Sequence, residues 1–509
     1  MRTSSIRAAS LAVIMSVASL GAADRGLQIV DAVKNGNREA VAALLKQRAD
    51  VNAPEPDGMT ALHWAVRAND LETTQLLIRA GANVKAENRY GLTPLSLAAT
   101  NGNAVMIETL VKAGANPNAA LPDGETILMT AARTGNAAAI KMLLAHGANV
   151  HAKEKSEGQT ALIWAANEGH TAAVQALIDG GAEVNGRSIE QKYPPYKWGV
   201  VGMVATNLPR GSWTPLMYAA RQDAIGVARA LVDAGADVNM TDPEGATALV
   251  TAIINAHYDF ASLLLERGAN PNIADQTGMA ALYATVDMHT MRPMIMRPTP
   301  KATGEVDAPE LVKRLLSHGA NPNAALKRPA FGRHHDLGGD ASMGEGTTAF
   351  MRAAKAGDVV VMRILLEGGA DPALRRKDFS SALTLAASGR SSIDAPAVTG
   401  PSTVPGASTI EAIKLCVQQG LDINAFNSAG QTAMHIAAAR GDNEVVRVLA
   451  ANGAMLDLED KQHRTPLDLA LGVGGRGRRS EPAPVHQSTA ALLRQLLSGG
   501  KVASTTPGQ

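Results

Sequence analysis

The sequence predicts an all-α fold in which short helix pairs stack into a solenoid. Three observations support this prediction: a phrase of the form Leu-Leu-x-x-Gly-Ala-Asn/Asp recurs about every 33 residues, a threonine stands before the first helix of most units, and only 5 Phe, 4 Trp and 6 Tyr occur among 509 residues. A period of this length predicts units that bury their apolar faces only against their neighbours. Few aromatics indicate a thin core of Ala, Leu and Val, because large rings usually fill thick cores.

The recurring phrase places one glycine at the same point of each unit. These glycines are Gly81, Gly114, Gly147, Gly181, Gly235, Gly268, Gly319, Gly369, Gly420 and Gly453, while Arg48 takes this place in the first unit and Gly500 closes the series. The spacing stays close to 33 except at five insertions of roughly 14 to 21 residues. The series therefore predicts about twelve repeats across residues 24–500, followed by a disordered tail at 501–509.

Each unit carries signals for two helices. A polar turn such as Pro56-Asp57-Gly58 precedes Thr60, whose side chain can accept the free N–H groups of a first helix. In three units proline follows this threonine (Thr93-Pro94, Thr214-Pro215 and Thr465-Pro466), which suits a first helical position that needs no N–H. A second helix over 71–79 is expected to end at Gly81 in a left-handed cap.

These phrases resemble those of ankyrin repeats. The run Tyr90-Gly91-Leu92-Thr93-Pro94-Leu95-Ser96-Leu97-Ala98-Ala99 and residues 144–152 echo the two signature phrases of that family, and the match covers about residues 27–500. The resemblance implies an ankyrin-repeat solenoid of stacked helix pairs with β-turn fingers. It also implies that the chain binds protein partners through the finger tips and the concave helix face.

Several positions depart from the family pattern. The first unit lacks a finger and the last, at 461–464, lacks the finger glycine, as expected of capping repeats. Phe379 and Ser212 replace the finger glycine of two other repeats, and Ala280 replaces a capping threonine. We therefore expect these fingers to be less regular.

The N-terminal sequence predicts a signal peptide. Arg2 and Arg7 are followed by an apolar run over 8–20 and by the small residues Gly21-Ala22-Ala23, which is the order of parts in a secretory signal. Cleavage near Ala23 would remove residues 1–23 and leave a periplasmic or secreted protein. No later run is long and apolar enough for a membrane span, and a net charge of +1 argues against a nucleic-acid binder.

The insertions are candidate binding elements because loops of this length are usually functional or disordered. Two lengthen fingers, near 187–210 and 326–345, and three separate the helices of a repeat, near 292–306, 390–407 and 472–485. The first finger insertion contains Tyr193, Tyr196 and Trp198 and ends beside Trp213. Such rings on a proline-bearing loop are typical of binding surfaces; the alternative is that they cover the neighbouring finger.

The predicted partner contacts lie on the fingers. They are Met59, Tyr90, Leu92, Gln159, Tyr193, Tyr196, Trp198 and Trp213. Trp64, Trp164 and Tyr218 share one position of the first helix, and we expect them in the core. The sequence thus favours an exported scaffold that binds a protein partner; the alternative is a binder of a small molecule, glycan or metal ion, or an accessory subunit of an exported enzyme.

No residue pattern predicts catalysis or a cofactor. Met288, Met291, Met294 and Met296 could hold Cu(I), a soft ion, but the arginines among them would repel a cation and methionine is a common gap filler. The only cysteine, Cys416, aligns with buried leucines of the second helix, so we expect an inert thiol. We therefore predict no metal site, no cofactor and no enzymatic activity.

Overall fold

The computed structural model describes residues 27–191, 210–290, 301–328, 343–389, 404, 406–474 and 484–499. In these ranges the regular structure is helical apart from one short ribbon and a few isolated bridges, as the predicted all-α solenoid requires. The chain divides into two compact units. Unit 1 comprises Met1–Gln191 with Arg210–Asp237, and unit 2 comprises Lys192–Pro209 with Val238–Gln509.

Unit 1 contains six helix pairs, in which the odd-numbered helix comes first. The helices are α1 (27–34), α2 (Arg38–Lys46), α3 (Ala61–Arg67), α4 (Leu71–Arg79), α5 (Pro94–Asn101), α6 (Ala104–Lys112), α7 (Ile127–Arg133), α8 (Ala137–Ala145), α9 (Ala161–Asn167), α10 (Thr171–Asp179), α11 (Pro215–Arg221) and α12 (Ile225–Asp233). The strands β1 (Glu190–Gln191) and β2 (Arg210–Gly211) pair antiparallel, with Glu190 opposite Gly211. First helices from α3 to α11 pack side by side in sequence order.

Unit 2 repeats the same arrangement. Its helices are α13 (Ala248–Ile254), α14 (Tyr258–Glu266), α15 (Ala281–Thr290), α16 (Ala308–Ser317), α17 (Ala349–Ala356), α18 (Val359–Glu367), α19 (Ala382–Ala387), α20 (Thr409–Gln418), α21 (Ala433–Arg440), α22 (Asn443–Ala451), α23 (Pro466–Ala470) and α24 (Gln487–Leu497). First helices again pack on first helices and second helices on second helices. Within each pair, the two helices also contact each other.

Buried core residues recur with the same period as the sequence repeat. Two residues after the capping threonine, the first helices of unit 1 carry a buried leucine that is at most 1% exposed: Leu62, Leu95, Leu128, Leu162 and Leu216. Burying each such side chain stabilises the fold by about 1.5–3 kcal/mol. Because each leucine lies against the neighbouring helices of the stack, this stabilisation depends on the repeats staying in register.

Polar side chains begin the helices at the expected places. The Thr93 side chain accepts the N–H of Ser96 at the start of α5, and the Ser96 hydroxyl oxygen accepts the N–H of Thr93. Asn103 accepts the N–H of Met106 at the start of α6. α15 begins at Ala281 although Ala280 offers no side-chain oxygen, so packing sets the boundary there.

The expectation of a less regular finger at Phe379 is wrong. Phe379 adopts φ 61°, and its N–H donates to Arg376 O at 2.9 Å, as Gly430 donates to Asn427 in the next finger. The finger also keeps its link to the preceding one, from Lys377 N to Glu345 O at 3.1 Å. The hydrogen bonds of the turn therefore impose a left-handed backbone on a residue that disfavours it.

Replacing Phe379 by glycine is expected to raise the free energy of unfolding by about 1 kcal/mol. The left-handed conformation costs a side-chain-bearing residue roughly 1–2 kcal/mol, of which glycine returns about half through the greater freedom of the unfolded chain. Urea denaturation of Phe379→Gly measures the change. Phe426→Gly is the matched control, because Phe426 is equally exposed but has no positive φ; equal effects of the two substitutions would contradict the account.

An asparagine four residues after the repeated glycine links neighbouring repeats. Asn118 Nδ2 donates to Gly147 O at 2.9 Å, and Asn118 Oδ1 accepts the N–H of Asn149 at 2.7 Å. The same pair of bonds is made by Asn52, Asn185, Asn239, Asn272 and Asn323. Lys85 and His151 hold this position in two other repeats. The asparagines thus fix the offset between successive repeats.

Asn118→Ala is expected to lower the free energy of unfolding by about 1 kcal/mol. Two inter-repeat hydrogen bonds are lost, and hydrogen bonds to water replace part of their contribution. Chemical denaturation gives the value. His151→Ala, at the equivalent position of the next repeat, is the control and should change stability little. An equal loss in both variants would mean that the position acts through something other than these bonds.

Candidate protein-interaction surface

Two tryptophans expected in the core lie at the surface of unit 1. Four residues after the capping threonine, the first helices carry Trp64 on α3, Trp164 on α9 and Tyr218 on α11. Tyr218 is 6% exposed and belongs to the core, but Trp64 and Trp164 are half-buried. The expectation is wrong for the tryptophans because exposed charged side chains, rather than apolar ones, cover their ring faces.

Two cations lie close to the Trp64 ring. Lys34 Nζ is 4.4 Å from the ring centroid, and the guanidinium carbon of Arg67 is 5.1 Å from it. The indole Nε1 donates to Glu55 Oε2 at 2.6 Å, and Glu55 also pairs with Lys34. The electron-rich ring face attracts both cations, so the ring and the charges hold each other in place.

Trp164 has a similar environment built from the preceding repeat. The guanidinium carbon of Arg133, at the end of α7, lies 5.6 Å from the Trp164 ring centroid. Arg133 Nη2 is 3.3 Å from Glu125 Oε1, which also accepts the hydroxyl of Thr130 at 2.8 Å. The indole Nε1 of Trp164 is buried and has no hydrogen-bond partner within the ranges that the structure describes.

The third cluster joins two rings under one arginine. Trp213 and Tyr218 make an edge-to-face contact with centroids 5.4 Å apart. The guanidinium carbon of Arg221 lies 5.4 Å from the Trp213 centroid and 5.3 Å from that of Tyr218. Arg221 Nη2 donates to Asn167 Oδ1 at 2.6 Å, and Gln159 Nε2 donates to the Tyr218 hydroxyl at 3.0 Å. Side chains from two repeats thus fix this cluster.

We call these side chains together the aromatic–arginine row. It consists of Trp64, Arg67, Arg133, Trp164, Trp213, Tyr218 and Arg221. Tryptophan, tyrosine and arginine are the residue types most enriched among residues that dominate protein binding energies. The row runs along the first helices of unit 1 from α3 to α11, which pack in that order.

Sequence reasoning missed the three arginines. Arg67 and Arg221 each follow an aromatic residue by three positions, the spacing at which helix side chains are neighbours. The sequence therefore contained a signal for these two arginine–aromatic contacts. Arg133 and Trp164 come from different repeats and meet only because α7 packs on α9. That contact depends on the register of the stack.

The predicted contact residues have different environments. Tyr90 is 58% exposed, with Arg89 over its ring, while Leu92, Gln159 and Trp213 are half-buried. The prediction for Met59 is wrong: this side chain is 4% exposed because it packs under the finger, where Asn88 Nδ2 contacts its sulfur at 3.6 Å. Tyr193, Tyr196 and Trp198 lie outside the described residues.

One of the four methionines considered for copper lies in the described part of the chain. Met288 is 4% exposed near the end of α15, and Met291, Met294 and Met296 lie outside the described residues. In the ranges the structure covers, no group of three His, Cys, Asp or Glu side chains is arranged to hold a metal ion. Cys416 is buried, and burial raises the pKa of its thiol to about 12, as expected of a core residue.

Two buried histidines connect a first helix to the next finger. His63 Nδ1 accepts the N–H of Thr60 at 3.1 Å, so the proton lies on Nε2, which donates to Leu92 O at 3.1 Å. His435 makes the same contacts with Thr432 and Arg464. Burial disfavours the charged form and lowers the pKa of both imidazoles below its usual value. Ser96 occupies the equivalent position of another repeat.

The two histidines are expected to make the fold less stable in acid. The unfolded chain takes up protons below about pH 6.5 while the folded imidazoles resist protonation, so stability falls as the pH drops below that value. Urea denaturation at about pH 7.5 and about pH 5 measures the loss. The His63→Ser, His435→Ser double variant should lose less stability over this interval. An unchanged loss, relative to His151→Ala as control, would contradict this assignment.

Comparison with known proteins identifies the repeats. Residues 29–121, 106–188 and 201–275 match a family described as ankyrin repeats (3 copies). Residues 345–377 match an ankyrin repeat, and residues 417–470 match ankyrin repeats (many copies). These matches cover more than half of the chain. The chain belongs to the ankyrin-repeat family.

Three relatives show how far the similarity extends. Human inversin is 36% identical over 125 residues, covering 21% of this chain and 12% of inversin. The Arabidopsis thaliana E3 ubiquitin-protein ligase KEG is 27% identical over 235 residues, covering 46% of this chain and 12% of KEG. The mouse B-cell lymphoma 3 protein homolog is 26% identical over 298 residues, covering 55% of this chain and 56% of that protein. The chain therefore spans only a small part of inversin and KEG.

No described helix combines the length and the apolar character that crossing a bilayer requires. Ankyrin repeats imply a protein–protein interaction scaffold, and the aromatic–arginine row is the candidate contact surface of unit 1.

Proposed function

We propose that this ankyrin-repeat protein binds a protein partner across the first helices of unit 1, with the aromatic–arginine row as the main contact. The observation that carries the proposal is that three guanidinium groups lie on aromatic rings at an accessible face. The rings hold the long arginine side chains in place, which reduces the entropy lost when they bind a partner. Burying such rings and guanidiniums in an interface contributes large binding energies.

The binding proposal can be tested by comparing partner capture by matched variants. Trp64→Ala with Arg221→Ala should release proteins that the parent chain retains from its native source, while leaving the thermal unfolding midpoint within a few degrees of the parent. Arg89→Ala with Tyr90→Ala removes an arginine–aromatic pair on a finger, outside the row. Retention of every partner by the row variant, or loss only in the finger variant, would contradict the proposal.

We also propose that the protein acts without catalysing a reaction and that it is exported. Support for a non-catalytic role comes from the family, whose repeats form interaction scaffolds. Support for export comes from the charged start, the apolar run over 8–20 and the small residues before Asp24. A single, deeply buried thiol also suits an oxidising compartment.

Export predicts a mature N-terminus at Asp24. Cell fractionation followed by N-terminal sequencing checks this, and Val13→Asp with Ile14→Asp should keep the chain in the cytoplasm because the apolar run is interrupted. Cytoplasmic accumulation of the unprocessed parent chain would refute the export proposal without affecting the binding proposal.

A further inference from the structure

The first helices from α3 to α11 of unit 1 present positive charge and carry no acidic residue, whereas α1 carries Asp31. In α3, α5, α7, α9 and α11 the arginines Arg67, Arg133 and Arg221 are the charged residues, and the remaining histidine, His63, is buried and has a lowered pKa. Carboxylates nearby include Glu55 and Glu125 on the fingers, and Glu168 at the end of α9, whose Oε1 accepts from Nδ2 of Asn167 at 3.2 Å. Glu55 is occupied by Trp64 and Lys34, and Glu125 by Thr130 and Arg133.

Two of the three guanidiniums have no carboxylate partner in the described parts of the chain. Arg67 contacts the Trp64 ring, and Arg221 contacts two rings and the neutral side chain of Asn167. A guanidinium held over a ring keeps its edge free to bind a carboxylate through paired hydrogen bonds. Arg67 and Arg221, at the two ends of the row, are therefore positioned to bind acidic groups.

The spacing of the arginines sets the spacing of those groups. Arg67, Arg133 and Arg221 lie on every second first helix, and packed helices are about 8–10 Å apart, so consecutive arginines are about 16–20 Å apart. An extended chain advances about 3.3 Å per residue, so this distance corresponds to about five or six residues.

We infer that the partner of the row is an extended peptide segment of about 12 residues that carries acidic residues about five or six positions apart. Its carboxylates bind Arg67 and Arg221, and the carboxylate between them competes with Glu125 for Arg133. Apolar residues between the acids pack on Trp64 and Trp164. This inference rests on the proposed function and specifies the chemistry of its partner.

Charge spacing favours an acidic peptide over a single-stranded nucleic acid. A nucleic acid carries a phosphate at every nucleotide, whereas the row offers one cation about every 16–20 Å. Glu55 lies beside Trp64 and Glu125 beside Arg133, and both carboxylates would repel a continuous phosphate chain. The net charge of +1 provides no general attraction for polyanions.

The test uses synthetic fluorescein-labelled peptides and the full chain. The probe has about 14 residues, with glutamates about six positions apart and leucines between them. Two control peptides have the same composition with adjacent glutamates, or lysine in place of glutamate. Fluorescence anisotropy at low and physiological ionic strength gives the dissociation constants. A single-stranded oligonucleotide of similar length is the third comparison.

The expected result is that the spaced probe binds more tightly than either control peptide and weakens as salt is added. Arg67→Gln and Arg221→Gln should each weaken it about five-fold, the effect of a partly exposed ion pair. Arg67→Lys should recover only part of the loss, because lysine keeps the charge but lacks the planar group that stacks on Trp64. Arg79→Gln, at the end of a second helix, is the matched control and should change nothing.

Absence of binding by the spaced probe, equal binding of the adjacent-glutamate peptide, or tighter binding of the oligonucleotide would each overturn the inference. None of these results bears on partner capture. If the row variant loses its native partner but the spaced probe does not bind, the proposed function stands and the acidic-peptide inference fails.

Discussion

The register between successive first helices is the constraint on which the rest of the structure depends. Each helix pair is too small to bury its apolar face alone, so the leucines of one repeat are covered by the next. The asparagine links fix the offset at several junctions between repeats. At two further junctions, His63 and His435 each donate a hydrogen bond from a first helix to the next finger. A stack held in this way repeats one surface position at a constant spacing.

The aromatic–arginine row is a consequence of that spacing. Arg133 reaches Trp164 across a repeat boundary, and Arg221 reaches Asn167 on the preceding first helix. A shift of one helix relative to the next would break these contacts even if each helix were unchanged. The surface proposed to bind a partner and the core that stabilises unit 1 therefore depend on the same alignment.

The sequence predicted the helices, the caps and the family because these follow from local patterns that recur. It predicted the environments of individual side chains less well. Met59 follows a finger glycine, as exposed contact residues of this kind would, yet it packs under the finger. Trp64 and Trp164 share a helix position with Tyr218, but their exposure depends on which side chains of the neighbouring repeats cover them. At Phe379 the expected irregularity is absent, because hydrogen bonds of the turn impose a backbone conformation that the residue itself disfavours.

Hydroxyl-radical footprinting of the chain, free and bound to its captured partner, tests the central claim most directly. If the row is one continuous contact surface, oxidation of Trp64, Trp164 and Trp213 should slow together on binding, while Phe426 in unit 2 remains unchanged. Protection confined to Tyr90, or tryptophans that react as fast in the complex as in the free chain, would contradict the claim.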